Sequence, residues 1–266
     1  MRAVDQRDEK PSERLMITSA YLQYAGSGPM RHEEQLLDEC LRRRGIPVRY
    51  YTIKRILRRQ LPLSPETFIA GDMDAMHGAM RQLGIPIPAP DDYPSSLREF
   101  RRREVWTATL GAVERALGDG SLPPTFVKPA DRRKGFTGAV CYSERDIAEL
   151  GTVSRRQRVW CSEVVEWLAE HRVYVNDQRI VAVDRYAGDE SVRLDLGVVR
   201  SAVAAYHRSG TAPAAYGLDF GVLADKRTAL VEANDGYALG AFGITADDYT
   251  DLVVRRWCEL LESAEK

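Results

Sequence analysis

Glu232, Asn234 and Asp235 stand almost side by side in the stretch LVEANDGYALGAFG, near the end of this 266-residue chain. An apolar run precedes them and three glycines follow, so hard oxygen ligands sit where a buried strand should finish. The segment YGLDFGVLADKRTALVEAN reads as two strands joined by a four-residue loop at 224–227. With Leu223 facing Thr228, Asp219 falls opposite Glu232 and Gly217 opposite Asn234. Opposed residues of an antiparallel pair share one face, with Cβ atoms about 5 Å apart, and alternate residues of a strand share it too. Asp219, Glu232 and Asn234 therefore converge. Two opposed carboxylates repel, and a divalent cation removes that cost. An oxygen-only donor set suits Mg²⁺ or Mn²⁺ rather than zinc, and Mg²⁺ keeps waters and shares substrate phosphates. A solvent-facing polar edge accounts for the same geometry equally well.

A second hairpin, EHRVYVNDQRIVAVDRY, turns near Asn176 and Asp177. With a two- or a four-residue loop, Glu170, Arg172 and Arg185 fall on one face, and Val173, Val175, Ile180 and Ala182 on the other, as core. Two guanidiniums on one strand face offer bidentate forks to phosphate or carboxylate oxygens. Upstream, TFVKPADRRKGFTGAV sets Lys128 on a strand before a basic loop with Arg132, Arg133, Lys134, Gly135 and Gly138. The backbone amides of such a loop can cradle phosphates, although it lacks the Lys-Ser/Thr of a Walker A motif. A solvated basic turn is the alternative.

The elements that must position these residues read as α/β. RLMITSAYL is a first strand, EEQLLDECLRRRG a helix stopped by Gly45, and PVRYYTI a second strand. LGIPIPAPDDYPSS is punctuated as a linker, and a long helix is expected from Ser96 to Leu117. Beyond Pro124 the texture is of short strands and turns. The final segment is a helix capped by Thr245, with Asp248 three residues on and a stripe of Tyr249, Leu252, Val253, Trp257 and Leu260. No internal repeat is visible.

Bulk properties exclude several classes. A formal net charge of −1 gives no global field toward nucleic acid or membrane, and no stretch approaches the roughly 20 apolar residues of a bilayer span. The Arg-rich stretches LRRRG, IKRILRRQ and REFRRREVW suit an anionic partner such as tRNA, but the neutral total favours solvated faces, so nucleic acid is disfavoured. The charged start MRAVDQRDEKPSER has no apolar core and reads as a frayed tail without a signal peptide. Cys40, Cys141, Cys161 and Cys258 are scattered, which suits reduced thiols and a cytoplasmic location. His32, His77, His171 and His207 show no metal spacing, and His171 points away from the Arg172 face. A homodimer is left open.

Taken in chain order, the basic flap after VKP, the segment CSEVVEW and the D…E-x-N hairpin resemble an ATP-grasp enzyme over about residues 100–243. The thirteen-residue step from Asp219 to Glu232, the two further to Asn234 and the seven from Glu163 to Glu170 are similar to those of D-alanine–D-alanine ligases. The resemblance implies an α/β fold in which two α+β lobes sandwich ATP, behind a trimmed N-terminal pre-ATP-grasp domain. The expected layout is a tail at 1–13, that domain at 14–95, a flap lobe at 96–168 and a metal lobe at 169–266. It implies that Glu163 accepts from the adenine amino group, Val164 and Val165 pair with the ring edge through their backbone, and Glu170 holds the ribose. Lys128 touches the α/β phosphates, Lys134, Gly135 and Gly138 belong to the flap, and Mg²⁺ or Mn²⁺ sits on Asp219, Glu232 and Asn234. Two positions depart from the pattern. Arg103 stands where many members place a lysine on the helix before the flap, and Gly217 stands where D-alanine-type ligases carry an arginine. Arg172 or Arg185 is then the expected oxyanion donor. The implied activity is ATP-dependent ligation of a small-molecule or peptide carboxylate to an amine through an acyl phosphate, releasing ADP and phosphate. A phosphotransferase and a non-catalytic nucleotide-binding module are the other readings, and the complete metal set argues against the module.

Overall fold

A computed structural model describes residues 17–24, 29–131 and 135–264. The chain divides into two compact units, one drawn from Met1–Ile87 and Trp257–Lys266, the other from Pro88–Arg256. The boundary at Ile87 and Pro88 falls inside the proline-punctuated linker.

In the first unit, β1 (Ser19–Gln23), α1 (His32–Arg43), β2 (Val48–Tyr51), α2 (Ile53–Leu57), β3 (Thr67–Ala70) and α3 (Met73–Leu83) follow in order. The strands form a parallel sheet ordered β2-β1-β3. Gly45 ends α1 at φ +75, a conformation that costs glycine little. The β3–α3 pair was not read from the sequence. Its signal is the Asp72 cap, whose carboxylate accepts from Ala75 N at 2.9 Å, before the buried stripe Ala75, Met76, Ala79 and Met80.

The second unit carries two sheets. β4 (Val105–Thr109), α4 (Leu110–Gly118), β5 (Thr125–Pro129), β6 (Ala139–Cys141), α5 (Glu144–Glu149) and β7 (Arg158–Glu163) build an antiparallel sheet ordered β4-β7-β5-β6. Its core joins Leu110, Val113 and Leu117 of α4 to Val127, Cys141, Val159 and Cys161. β8 (Trp167–Asn176), β9 (Arg179–Gly188), α6 (Leu196–Arg208), β10 (Ala215–Leu223) and β11 (Thr228–Asp235) build the other, ordered β11-β10-β8-β9. Asp195 caps α6 through Gly197 N at 2.7 Å, and Val199, Ala202, Val203 and Tyr206 pack on Val173, Val175, Leu218 and Phe220. The last helix, α7 (Ala246–Ala264), has the expected cap: Thr245 Oγ1 accepts from Asp248 N at 3.1 Å. Its expected stripe is buried throughout.

The long helix expected from Ser96 to Leu117 does not form. A 3-10 turn at Ser95–Phe100 ends before Arg102, whose φ is +54, and then VWTAT runs as β4. Four of those five residues are β-branched or aromatic, and pairing with β7 from Val105↔Ser162 to Thr109↔Arg158 overrides the helical spacing. Only α4 remains of the expected helix.

Candidate active site

The two strands β10 and β11 bring the carboxylates together. Asp219 lies opposite Glu232 and Gly217 opposite Asn234. The turn differs from the sequence reading, because Val222 rather than Leu223 faces Thr228. A β-bulge between the partners of Phe220 and Asp219 restores the pairing by adding one residue, Val231, to β11. Without it, Asp219 would face Val231 and Glu232 would turn to the other face.

Side chains of this chain already offset the repulsion between the two carboxylates. Arg172 on β8 grips Asp219 bidentately, Nε to Oδ1 at 2.8 Å and Nη2 to Oδ2 at 2.7 Å. Lys128 on β5 bonds Glu232 and lies 2.8 Å from Asp92 and 4.8 Å from the Tyr93 ring centroid. Asn234 Nδ2 donates to Asp219 Oδ2 at 3.2 Å and to Glu232 Oε1 at 3.4 Å. Burial opposes ionisation of Glu232, but Lys128 and then Asn234 outweigh it and hold its pKa below the usual range. Burial likewise works against the Lys128 ammonium, and Glu232, Tyr93 and Asp92 together raise its pKa instead. Burial pushes the Asp219 carboxyl up while the two Arg172 bonds oppose that shift. Among the described residues no three His, Cys, Asp or Glu side chains group to hold a metal. Asp219 and Glu232 would nonetheless suit Mg²⁺ as oxygen donors, and Asn234 would join them by presenting its amide oxygen in place of Nδ2.

The arginine face is partly corrected. β9 pairs with β8 through two register shifts, so Arg172 faces Asp184 while Arg185 faces His171 on the opposite side of the sheet. Arg185 is exposed and donates to Gly188 O at 2.8 Å. Ala182, expected with the core, faces Tyr174 on the Arg172 side. The bulges flip residues beyond them, and no residue type in the sequence marks them. Arg172 is further held by Gly240 O at 3.3 Å and lies 5.2 Å from the Phe242 ring centroid. Phe242 stacks on Tyr186, whose hydroxyl donates to Glu170 at 3.1 Å, and Phe242 N donates to Tyr174 OH at 3.0 Å. Burial raises the Glu170 pKa against that hydroxyl's contribution. Gly217 lets the Leu239 side chain approach, since a Cβ there would lie 2.8 Å from Leu239 Cδ1.

Beside this cluster lies a cleft of about 260 Å³ between the two sheets, lined by Arg103, Phe126, Trp167, Val231 and Glu232, with Glu163, Val164, Val165 and Glu170 also on its walls. Glu163 Oε2 accepts from Glu104 N at 2.9 Å. Gly138 packs on the cleft, where a Cβ would come 2.7 Å from the Phe126 ring, and a Cβ on Gly135 would meet Gln157 at 3.0 Å. Lys134 lies outside the described residues. Arg103 precedes β4 rather than standing on a helix, and it donates to Leu230 O and Val231 O of β11. Tyr93, Asp92, Trp167, Tyr174, Asp184, Tyr186 and Phe242 were not picked out from the sequence. Asp92 and Tyr93 lie in the segment read as a linker, and the others lie inside stretches quoted for their neighbours: Trp167 in CSEVVEW, Phe242 in LVEANDGYALGAFG and the rest in the second hairpin.

Two antiparallel sheets with helices on their outer faces, meeting over a cleft that ends in a carboxylate pair and a lysine, have the architecture of an ATP-grasp enzyme. The model of the ATP-grasp domain, R2K clade family 2, matches residues 100–252, more than half of the chain, and the chain belongs to that family. ATP-grasp ligases use ATP and Mg²⁺. The fold is similar to the crystal structure of the D-cycloserine synthetase DcsG, with a TM-score of 0.58 and 14% identity over 91% of this chain and 99% of that one. It is also similar to D-alanine–D-alanine ligase from Bacillus anthracis, with a TM-score of 0.56 and 15% identity over 93% and 97%. The ATP-grasp ligase PsnB complexed with minimal precursor gives a TM-score of 0.54 at 15% identity over 90% and 99%. No curated protein matches the chain. Among the described residues no helix is long and apolar enough to cross a membrane.

Proposed function

We propose that the protein ligates a carboxylate to an amine at the expense of ATP, passing through an acyl phosphate and releasing ADP and phosphate. The observation that carries this reading is the convergence of Asp219, Glu232 and Asn234 with Lys128 at one end of the cleft. A carboxylate resists attack by an amine because oxide is a poor leaving group, so the acid must first take the γ-phosphoryl group. Asp219, Glu232 and Asn234 would hold Mg²⁺, which would supply neutralisation of the charge developing on the phosphates. Lys128 turns to the phosphates, Glu163 and the backbone at Val164 and Val165 take the adenine edge, and Glu170 with Tyr186 takes the ribose. Arg172, the one expected arginine on the Asp219 face, is the donor to the oxyanion formed when the amine attacks.

The first unit serves as the pre-ATP-grasp domain. The substrates are small-molecule or peptide acids and amines, and four cysteines without a disulfide suit the reducing cytoplasm. The test is incubation with ATP, Mg²⁺ and mixed amino acids and peptides, followed by the mass of every product. ADP, phosphate and a condensed product are expected. AMP with pyrophosphate rules out the acyl phosphate, and a stable phosphorylated acid points to a phosphotransferase.

A further inference from the structure

A regular strand directs successive carbonyls to opposite edges, so a single guanidinium cannot fork two neighbouring carbonyls of one strand. Arg103 does this on β11. Its Nη1 donates to Leu230 O at 2.6 Å and its Nη2 to Val231 O at 3.0 Å, at the bulge opposite Phe220 and Asp219. β11 is the outermost strand of its sheet, so those carbonyls have no further strand to meet them. The bulge has a second effect. It sets Glu232 opposite Asp219, and Val231 and Glu232 both line the cleft.

Arg103 is itself held in place. Its Nη1 also donates to Arg101 O at 3.1 Å, and its guanidinium carbon lies 5.2 Å from the ring centroid of Trp167, another cleft residue. Both terminal nitrogens are thus committed to main-chain oxygens. We propose that Arg103 is a positioning residue whose planar fork holds the bulge at Val231 and so aims Glu232 into the site, rather than a ligand of the nucleotide phosphates. What Glu232 does once aimed rests on the ligase reading above. A lysine carries the charge but not the fork. The fork and the charge therefore separate cleanly: a phosphate ligand tolerates Arg103→Lys, and a bulge clamp does not.

The experiment is a Mn²⁺ titration, read by electron paramagnetic resonance, at saturating non-hydrolysable ATP analogue. Wild type is compared with Arg103→Lys and Arg103→Met, with thermal midpoints and metal-free analogue affinity measured alongside. Loss of an outer-sphere partner weakens metal binding about 10–100-fold, and both variants should show that loss with metal-free analogue affinity unchanged. Arg103→Lys binding Mn²⁺ like wild type overturns the proposal, as does a loss of analogue affinity that Arg103→Lys repairs. A wild type that takes up no Mn²⁺ with the analogue overturns the ligase reading instead.

Should the point variants unfold, deletion of Val231 provides the second arm. It removes the extra residue, leaves Glu232 opposite Asp219 in an unbulged ladder, and takes away the paired carbonyls. In that background Arg103→Lys should weaken Mn²⁺ binding no further. A full additional loss there also overturns the proposal.

Discussion

Replacing Lys128 with methionine removes one charge and keeps most of the side chain's length, so its effect isolates the ion pairs at the head of the cleft. Lys128 bonds Glu232 and lies 2.8 Å from Asp92, with side chains 13% exposed for Lys128 and 28% for Glu232. Removing one partner of a buried pair costs about 3–5 kcal/mol, whereas an exposed pair is worth at most about 1 kcal/mol. Partial solvent access to Glu232 puts Lys128→Met between these limits, at roughly 2–3 kcal/mol at pH 7. For a protein of this size that is a fall in Tm of roughly 5–10 °C.

The pH dependence identifies the cause. The native Glu232 pKa lies below its ordinary value of 4.5, despite burial, because Lys128 and Asn234 favour the carboxylate. A group with a depressed folded pKa contributes stability above its unfolded pKa and loses it as pH falls through the folded value. In the variant the Lys128 contribution is gone, and burial with Asp219 nearby pushes the Glu232 pKa up. Protonation then relieves the unpaired charge. The gap in Tm between the two proteins should be widest at pH 7 and close as pH falls through about 5 to 4. Thermal melts of ligand-free protein from pH 7 to pH 4 measure it. A gap that is constant with pH, or absent at pH 7, refutes the reasoning.

Lys128→Met should also raise the affinity of Mn²⁺ added without nucleotide at pH 7, because the metal no longer competes with the ammonium for Glu232; a calorimetric titration showing weaker binding contradicts this. Arg185→Met should leave product formation and nucleotide binding unchanged in steady-state assays, since Arg185 faces away from Asp219. Arg172→Lys keeps the charge beside Asp219 but loses the fork, and product formation should fall about 10²–10³-fold while analogue affinity, measured separately, changes little. Gly221→Ala places a Cβ 2.2 Å from the Trp167 ring, so calorimetry should show weakened ATP-analogue binding together with a lowered Tm.

The convergence of Asp219, Glu232 and Asn234 was legible because opposed carboxylates are disfavoured in a hairpin without compensation, and a short loop permits few registers. The pairing was nonetheless reached through two offsetting differences. The turn closes with Val222 opposite Thr228, one residue away from the expected partner, and the bulge at Val231 adds that residue back. No such cancellation occurred in the second hairpin, where the register shifts carry Arg185 and Ala182 to faces other than those expected. A bulge resides in backbone geometry and tertiary support, and QRIVAVDRY contains no glycine or proline to announce one. Similarly, β4 was read as helix because its spacing within REFRRREVWTATLGAVERALG suits one, and only β7 alongside decides for a strand. The α6 helix carries its own signal in the Asp195 cap and the apolar stripe Val199, Ala202, Val203 and Tyr206, but the short strands and turns on either side dominate the texture of that region.

Charge compensation is where the sequence reading and the fold differ most instructively. Two facing carboxylates call for a cation, and the sequence alone suggests a metal. The fold supplies two others, Lys128 from β5 and Arg172 from β8, which lie 104 and 47 residues from their partners and meet them only in three dimensions. Both carboxylates are therefore partnered before any ligand arrives, Asp219 by Arg172 and Glu232 by Lys128, which Asp92 shares. A metal arriving alone meets carboxylates already partnered. Asp219 and Glu232 would be released to a metal only as phosphates arrived to partner Lys128 and Arg172, so that no charge would be left buried and unpaired. On this account metal and nucleotide would favour each other's binding through the exchange of partners at Asp219 and Glu232, with no movement required of the sheet that carries them.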